Sequence, residues 1–253
     1  MTPEITLRTF TDDQYILDKI FYANNYRLKN FADDDNDVCV VDVGAHAGYF
    51  SLLCLLRGAK KVYSIEPFAD NFRVLNKNLE AFAERLTTLK MGVYTESKFA
   101  NISYPPPENN FFYLSHINFH DGGDSPKELA NFCTLDELLN SINEEKVTLL
   151  KLHLGYAESD ILISSDRLDK CEYVCGETSA SPEKMRELIA HMGEKGFEDS
   201  FLAESKEQEG THLFLFAKDK CENLFNLYAA GSPEEMQQEQ EMANNMTQIP
   251  EQQ

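Results

Sequence analysis

The sequence predicts an α/β fold with a seven-stranded, mostly parallel sheet, helices on both faces and a terminal antiparallel hairpin. Short apolar runs rich in β-branched residues, such as those at 38–43 and 147–154, are typical of strands buried on both faces. Stretches with helical spacing of apolar residues separate these runs, and this alternation favours parallel pairing. The strand-like runs at 201–202 and 212–217 follow one another directly and predict the hairpin.

The first strand, turn and helix organise the rest of the chain. The run Val38–Val43 is too short for a helix and predicts a buried strand. An acid and the glycines Gly44 and Gly48 mark a turn, and Tyr49–Leu56 continues with good helix formers. Val62–Glu66 is the second strand and ends in an acid. This is the opening βαβ unit of a nucleotide-type domain.

The later elements follow from the same signals. Thr134 and Ser181 each precede a stretch with helical spacing and are predicted N-caps. The predicted elements are a short helix within 1–37, a helix at 70–84, a third strand at 86–94, a helix from 134, a strand at 147–154, a short helix at 157–165, a strand at 172–177 and a helix at 182–194.

Composition divides the chain into three predicted regions. Residues 1–37 form an N-terminal helical extension with an acidic loop, and residues 38–220 form the main domain. Residues 221–253 form a C-terminal extension, predicted to be disordered from about 231 because polar residues dominate without periodicity.

Residues 95–132 interrupt the alternation of strands and helices. A proline run at 105–107 excludes regular helix, and an aromatic run at 111–117 is strand-like. Long excursions in compact domains are often functional, so this insertion is predicted to cover the site or to contact substrate. A plain β-hairpin insertion is the alternative.

The charge and cysteine content argue against several classes of function. The chain has 253 residues and a formal net charge of −20, which argues against sequence-independent binding to nucleic acid or to anionic membranes. No signal-like segment opens the sequence and no apolar run reaches the length of a membrane helix, so we expect a cytoplasmic protein with reduced thiols. The spacing of Cys171 and Cys175 and the acidic loop lack the features of metal sites, so no metal is predicted.

The opening βαβ unit has the chemistry of a nucleoside site. Gly44 and Gly48 let a ligand approach the backbone, and Glu66 at the end of the second strand can accept hydrogen bonds from ribose hydroxyls. Dinucleotide enzymes use G-x-G-x-x-G, but this chain has G-x-x-x-G with His46 at the middle position. An NAD-dependent oxidoreductase is therefore disfavoured, and a turn without a ligand is the remaining alternative.

Together these motifs resemble the FkbM-type methyltransferases, a family of class I, Rossmann-like S-adenosylmethionine (SAM) enzymes. The resemblance covers roughly residues 38–218 and rests on Asp42–Ser51 (DVGAHAGYFS), Glu66-Pro67, Thr134–Leu139 (TLDELL) and Lys151–Glu158 (KLHLGYAE). It implies SAM as cofactor and methyl transfer, usually to an oxygen of a sugar, polyketide or other small molecule. The cofactor-binding residues that it implies are Asp42, Gly44, Ala45, His46, Gly48, Tyr49, Glu66, Pro67, Gly92 and Val93.

Within this set the resemblance implies distinct roles. The methionine end of SAM lies against Gly44–Gly48, with Asp42 either near its ammonium or bracing the loop. Glu66 holds the ribose, and the adenine contacts residues around Gly92–Tyr94.

The chain departs from the family at the segment that lines up with Lys-Ile-Asp-Val-Glu-Gly-Ala-Glu. His153 stands at the first acid, Gly155 at the second and Tyr156 at the glycine, whereas Lys151 and Glu158 remain. A histidine can act as a base near neutral pH, but it cannot replace a carboxylate as a ligand of a hard cation. A packed, hydrogen-bonded histidine is the alternative reading of His153.

The predicted catalytic residues are His153 first, then Glu177 and Glu158, although both glutamates are also candidates for structural caps. The resulting hypothesis is a SAM-dependent O-methyltransferase that acts on a small molecule or glycan. A catalytically impaired methyltransferase-fold protein that binds a ligand or a protein is the alternative. The sequence gives no indication of the oligomeric state.

Overall fold

A computed structural model of the protein describes residues 4–9, 11–31, 37–103, 127–155, 157–204 and 210–227. The proline and aromatic runs at 105–107 and 111–117, Tyr156 and the C-terminal region from 231 lie outside these ranges. No helix within the described ranges is both long enough and apolar enough to cross a membrane.

The described part of the chain contains two sheets, seven α-helices and two short 3₁₀ helices, Glu80–Arg85 and Leu168–Lys170. The strands are β1 (Cys39–Val43), β2 (Lys61–Ile65), β3 (Leu86–Leu89), β4 (Gly92–Val93), β5 (Lys98–Ser103), β6 (Lys127–Cys133), β7 (Val147–Leu152), β8 (Cys171–Thr178), β9 (Asp199–Glu204) and β10 (His212–Ala217). The helices are α1 (Asp13–Phe21), α2 (Tyr49–Leu56), α3 (Ala69–Leu79), α4 (Leu135–Ser141), α5 (Glu158–Ile163), α6 (Pro182–Glu194) and α7 (Cys221–Leu224).

The main sheet has seven strands in the order β3-β2-β1-β7-β8-β10-β9. The five strands from β3 to β8 pair in parallel, whereas β10 pairs antiparallel with both β8 and β9. This arrangement confirms the predicted mostly parallel sheet and the terminal hairpin.

Helices cover both faces of the main sheet, as predicted. On one face α1, α2 and α3 bury side chains such as Leu17, Phe50 and Leu75 against alternate strand residues. On the other face α4, α5 and α6 bury side chains such as Leu138 and Leu188 against the intervening strand residues. Because successive strand residues point to opposite faces, the continuous apolar runs fill both layers.

The predicted strand at 86–94 is divided in the structure. Its first part is β3 of the main sheet, and a turn in which the Met91 amide donates to the Leu89 carbonyl (3.0 Å) separates it from β4. β4 pairs with β6 in a second sheet of order β4-β6-β5. The antiparallel pairing of β5 with β6 agrees with the β-hairpin alternative for residues 95–132, whereas the parallel pairing of β4 with β6 was not predicted.

The predicted caps of α4 and α6 are present. The Thr134 hydroxyl accepts from the Glu137 amide (3.1 Å), and the Glu137 carboxylate accepts from the Thr134 amide (2.9 Å), which completes a capping box. The Ser181 hydroxyl accepts from the Lys184 amide (3.3 Å), with Pro182 in the first turn of α6.

Candidate functional site

The candidate site lies where the carboxyl ends of β1 and β7 meet. The chain extends the sheet from β1 toward β3 on one side and from β7 toward β9 on the other, so the strand order reverses between β1 and β7. The loop Gly44–Gly48 follows β1, and His153 follows β7, with its amide donating to the Val43 carbonyl (3.1 Å). Open α/β sheets bind ligands at this reversal point.

The glycine loop is held tightly by the protein around it. Gly44, His46 and Gly48 all have positive φ (77°, 53° and 87°), and the amides of Gly44 and Ala45 both donate to the Ile65 carbonyl (3.0 Å each). A Cβ atom on Gly44 would lie 2.1 Å from the His153 carbonyl oxygen, and one on Gly48 would lie 3.1 Å from the Leu79 side chain. Both glycines therefore make room for neighbouring protein atoms.

Asp42 braces this loop from below. It is fully buried in β1 and stands opposite Lys151 of β7. The Lys151 ammonium donates to Asp42 Oδ1 and to the Gly44 carbonyl (2.9 Å each), and the Ser51 hydroxyl donates to Asp42 Oδ2 (2.7 Å). The carboxylate of Asp42 thus lies inside the protein and is paired there.

Glu66 joins the glycine loop to the start of α3. Its Oε2 accepts from the His46 amide (2.9 Å), and its Oε1 accepts from the Phe68 amide (3.0 Å) and the Asn71 side chain (3.2 Å). Burial raises the pKa of Glu66, and these hydrogen bonds oppose that shift. A carboxylate has about four acceptor positions, so one position on Oε2 remains.

The other residues predicted to contact the cofactor are buried. Tyr49 begins α2, and its hydroxyl donates to the Thr6 carbonyl (3.4 Å). A Cβ atom on Gly92 would lie 2.2 Å from the Phe132 ring, so β4 is packed closely against β6. The remaining members of this buried set are Ala45, Pro67 and Val93.

An arginine from the N-terminal segment reaches the same loop. The Arg8 guanidinium donates to both carboxylate oxygens of Asp13 (2.9 and 2.7 Å), to Asp70 (2.9 Å) and to Asn71 (2.8 Å), and it lies 3.2 Å from His46 Nε2. Burial raises the pKa of Asp13, but the hydrogen bonds and charge of Arg8 outweigh it, so the net shift is downward. Arg8 therefore ties the segment before α1 to the loop and to α3.

Beside this arginine lie buried polar atoms that have no hydrogen-bond partner in the described part of the chain. Both carboxylate oxygens of Asp12 and the Nδ1 atom of His46 have no hydrogen-bond partner among the described residues. Asp12, Asp13 and His46 each offer one ligating atom, and these atoms lie within 4.8 Å of one another. Burial raises the pKa of Asp12 to about 6 and, together with the charge of Arg8, lowers that of His46 to about 3.

His153, the first predicted catalytic residue, is exposed at the end of β7. Its Nδ1 lies 2.7 Å from the hydroxyl of Tyr26, which comes from the turn after α1. Although the side chain is exposed, desolvation by the surrounding protein lowers the pKa of His153 to about 4, which Lys151 reinforces and Glu177 opposes. The imidazole is therefore neutral at pH 7.

Glu177 lies beside His153 on the neighbouring strand. Leu152 pairs with Gly176 in the register of β7 and β8, so the next residues, His153 and Glu177, are neighbours at the carboxyl edge. Glu177 is only 8% exposed, and its carboxylate accepts from the Asn25 side chain (2.7 Å) and pairs with the Lys19 ammonium (3.6 Å). The N-terminal segment therefore covers this carboxylate.

Glu158 lies beneath the loop that follows β7. It is fully buried at the start of α5, and its Oε1 accepts from the amides of Leu154 and Gly155. Its Oε2 is buried without a partner among the described residues. Burial raises the pKa of Glu158 to about 7, and the backbone hydrogen bonds oppose that rise.

The raised pKa of Glu158 predicts a pH-dependent stability. Folding raises the pKa of Glu158 from 4.5 to about 7, so the folded protein binds the proton more tightly than the unfolded chain does. The stabilising contribution of Glu158 to the free energy of unfolding is therefore fully present below pH 4.5 and is lost as the pH rises through 7. Glu158→Gln keeps an acceptor for both amides but has no charge to bury. We expect the free energy of unfolding of the variant to gain about 3 kcal/mol relative to the original protein between pH 4.5 and pH 8.

Urea denaturation at pH 4.5, 6 and 8 measures this difference. Since His153 is present in both proteins, its own titration cancels in the comparison. Glu187→Gln, at an exposed position of α6, is the matched control and should show no such slope. A difference between Glu158→Gln and the original protein that stays constant with pH would contradict the prediction.

The sequence did not single out the residues that the N-terminal segment contributes. Four side chains of this segment reach residues of the site that are distant in sequence: Arg8, Lys19, Asn25 and Tyr26. The separations range from 38 residues, between Arg8 and His46, to 158 residues, between Lys19 and Glu177. Helical spacing predicts only that a helix precedes the sheet, and no local motif marks these four side chains. The structure brings them to the predicted site.

The strand order and the glycine turn followed by a buried acid are those of the SAM-dependent class I methyltransferases. A family model described as the methyltransferase FkbM domain matches residues 42–198, which is more than half of the chain. The protein therefore belongs to the FkbM methyltransferase family, and its cofactor is SAM. The resemblance stated from the motifs is confirmed.

One curated relative is the AMB antimetabolite synthetase AmbE of Pseudomonas aeruginosa, which is 23% identical over 217 residues. That match covers 73% of this chain, and the chain spans about a tenth (10%) of the length of that relative. Among solved structures, human methyltransferase 10 domain containing protein is similar at 12% identity and a TM-score of 0.48, covering 80% of this chain and 81% of that one.

The structure of M. capricolum TrmK with S-adenosylhomocysteine is also similar, at 10% identity and a TM-score of 0.44, covering 80% of this chain and 69% of that one.

Proposed function

We propose that the protein transfers the methyl group of SAM to an oxygen atom of a small molecule or glycan. The observation that carries this proposal is the placement of the glycine loop and the exposed His153 at the same reversal point of the sheet. SAM supplies an activated methyl group on a sulfonium, so the protein has to bind, orient and exclude water.

The residues around the glycine loop fit the amino-acid end of the cofactor. The two Asp12 carboxylate oxygens are buried acceptors that lack partners among the described residues, and an ammonium group has three N–H donors. Asp42, by contrast, is already paired with Lys151, which favours a bracing role for it. The remaining acceptor position of Glu66 fits one ribose hydroxyl, and Gly92 and Val93 would flank the adenine side.

The acceptor would lie against His153, which is the exposed member of the predicted catalytic set. Glu177 is covered by Asn25 and Lys19, and Glu158 holds the backbone of the loop after β7. We therefore assign His153 to direct contact with the acceptor. Glu177 and Glu158 position the walls of the site.

The covered Glu177 also supports the second candidate, a methyltransferase-fold protein that binds a ligand or a protein without turnover. The N-terminal segment contacts both His153 and Glu177 at the position where an acceptor would enter. That candidate predicts cofactor binding without methyl transfer.

Calorimetric titration with S-adenosylhomocysteine tests the proposal. We expect binding by the original protein and a dissociation constant raised about 10- to 100-fold in Glu66→Ala, because a hydrogen bond to a charged group contributes about 1.5–3 kcal/mol. Glu145→Ala, at an exposed position, is the control and should bind normally. Absence of binding at millimolar cofactor would refute the proposal, and binding without transfer of labelled methyl to any oxygen acceptor would favour the second candidate.

A further inference from the structure

The hydrogen bond between Tyr26 and His153 joins the N-terminal segment to the acceptor side of the site. Tyr26 is 4% exposed, and its ring packs edge-on against Phe50, with ring centroids 4.9 Å apart. Its hydroxyl lies 2.7 Å from His153 Nδ1. A buried ring held by packing presents its hydroxyl at a fixed position, so this contact also fixes the plane of the imidazole.

The direction of this hydrogen bond follows from the partners available. Burial raises the pKa of Tyr26 well above 10, so the phenol keeps its proton. Among the described residues, His153 Nδ1 is the only hydrogen-bond partner of that hydroxyl. If Nδ1 carried the ring proton, the buried phenol proton would have no acceptor, and an orphaned buried donor is disfavoured. The phenol therefore donates to Nδ1, and the neutral imidazole carries its own proton on Nε2.

We propose that Tyr26 is a positioning residue that holds His153 in the Nε2–H form, so that the imidazole donates a hydrogen bond to an acceptor oxygen that arrives as an anion, such as a carboxylate. This inference rests on the proposed methyl transfer and specifies the chemical class of its acceptor.

An anionic acceptor is consistent with the groups around His153. With Nδ1 occupied and Nε2 protonated, the imidazole has no free lone pair with which to remove a proton. Glu177 is covered and paired, so it does not offer an exposed base. The charged groups that act most strongly on the imidazole are two cations, Lys19 and Lys151, and two anions, Glu177 and Asp42. Their formal charges are balanced, so these four groups together do not repel an anion.

The transfer to such an acceptor balances without a base. The oxygen anion attacks the methyl carbon, a C–O bond forms and the C–S bond breaks. The electron pair of the C–S bond passes to sulfur, which becomes a neutral thioether, and the negative charge of the acceptor is neutralised. No proton is released, whereas a neutral hydroxyl would have to lose one.

Nitrogen-15 NMR of histidine-labelled protein at pH 7 tests the role of Tyr26 without any substrate. We expect His153 to show a protonated Nε2 and a hydrogen-bonded, unprotonated Nδ1. Tyr26→Phe keeps the ring but removes the hydroxyl. In this variant the Nδ1 signal should shift to that of an unprotonated nitrogen that accepts no hydrogen bond. Tyr173→Phe removes another buried hydroxyl, one that is bonded to Asp219, and should leave the His153 signals unchanged. A proton on Nδ1 in the original protein, or an unchanged signal in Tyr26→Phe, would overturn the assignment.

A panel of carboxylic acids and matched alcohols, with methyl-labelled SAM, tests the acceptor class. Methyl esters release labelled methanol in mild alkali, whereas methyl ethers do not. We expect alkali-labile label in acids, with kcat/KM lowered about tenfold in Tyr26→Phe through loss of one orienting hydrogen bond. Label in alcohols alone overturns the anionic acceptor but leaves the proposed function intact. Label in no acid while S-adenosylhomocysteine still binds also overturns it, and loss of cofactor binding itself would instead refute the proposed function.

Discussion

Gly44→Ala is expected to lower the free energy of unfolding by about 4 kcal/mol and to abolish binding of S-adenosylhomocysteine. The added Cβ would lie 2.1 Å from the His153 carbonyl oxygen, and this atom belongs to backbone that cannot swing aside. Gly44 also has a φ of 77°, which costs an L-residue about 1–2 kcal/mol. Urea denaturation and calorimetric titration measure the two losses.

Gly196→Ala separates the two causes. Gly196 has a φ of 88°, close to that of Gly44, but nothing lies within 4 Å of the position of its Cβ. This variant should therefore lose only about 1–2 kcal/mol and bind cofactor normally. If both variants lost the same stability, contact between β1 and the end of β7 would not be the reason that position 44 requires glycine.

The glycine spacing predicts only part of the geometry of this loop. The G-x-x-x-G spacing correctly predicts a turn between strand and helix, because glycine supplies the positive φ. The structure adds a second requirement for glycine at these positions, because the space that a Cβ atom would occupy is filled by His153 at Gly44 and by Leu79 at Gly48. Tertiary packing decides this point, and spacing along the chain carries no information about it.

The same distinction applies to the fold. Continuous apolar runs predict the parallel strands because both faces of the main sheet are covered by helices. The prediction of a single strand at 86–94 is wrong because the second part of the run, β4, pairs with β6 in the other sheet. The residues of β6 in this pairing, Phe132 and Cys133, lie about 40 positions further along the chain. A local pattern predicts that a residue is extended, but it does not specify the strand with which that residue pairs.

The proposed acceptor side of the site, around His153, was the least predictable part. The replacement of an acid by His153 is visible in the sequence, and it led to the hypothesis of a base. The hydrogen bond from Tyr26 changes the chemistry that the imidazole can perform, and 127 residues separate these two side chains. Which nitrogen of the His153 imidazole carries the proton depends on the hydrogen-bond partner of each nitrogen. These partners are known only from the three-dimensional structure, so the sequence cannot specify the protonation state.

Lys151→Met is expected to lower the free energy of unfolding by about 3–5 kcal/mol, because it leaves the fully buried Asp42 without its ion pair. The variant also frees the Gly44 carbonyl, which accepts from the same ammonium (2.9 Å), so the glycine loop should lose order and cofactor affinity together. Urea denaturation and titration with S-adenosylhomocysteine measure both effects.

Two further variants show whether burial of the pair causes that loss. Lys184 forms exposed ion pairs with Asp160 and Glu187 on the helical surface, so Lys184→Met should change stability by less than about 1 kcal/mol. Combining Lys151→Met with Asp42→Asn removes the unpaired charge and keeps an acceptor for the Ser51 hydroxyl, so it should recover part of the stability. It should not recover the bond to the Gly44 carbonyl, and cofactor affinity should stay low. Equal losses for Lys151→Met and Lys184→Met would show that the Asp42–Lys151 pair does not brace the loop.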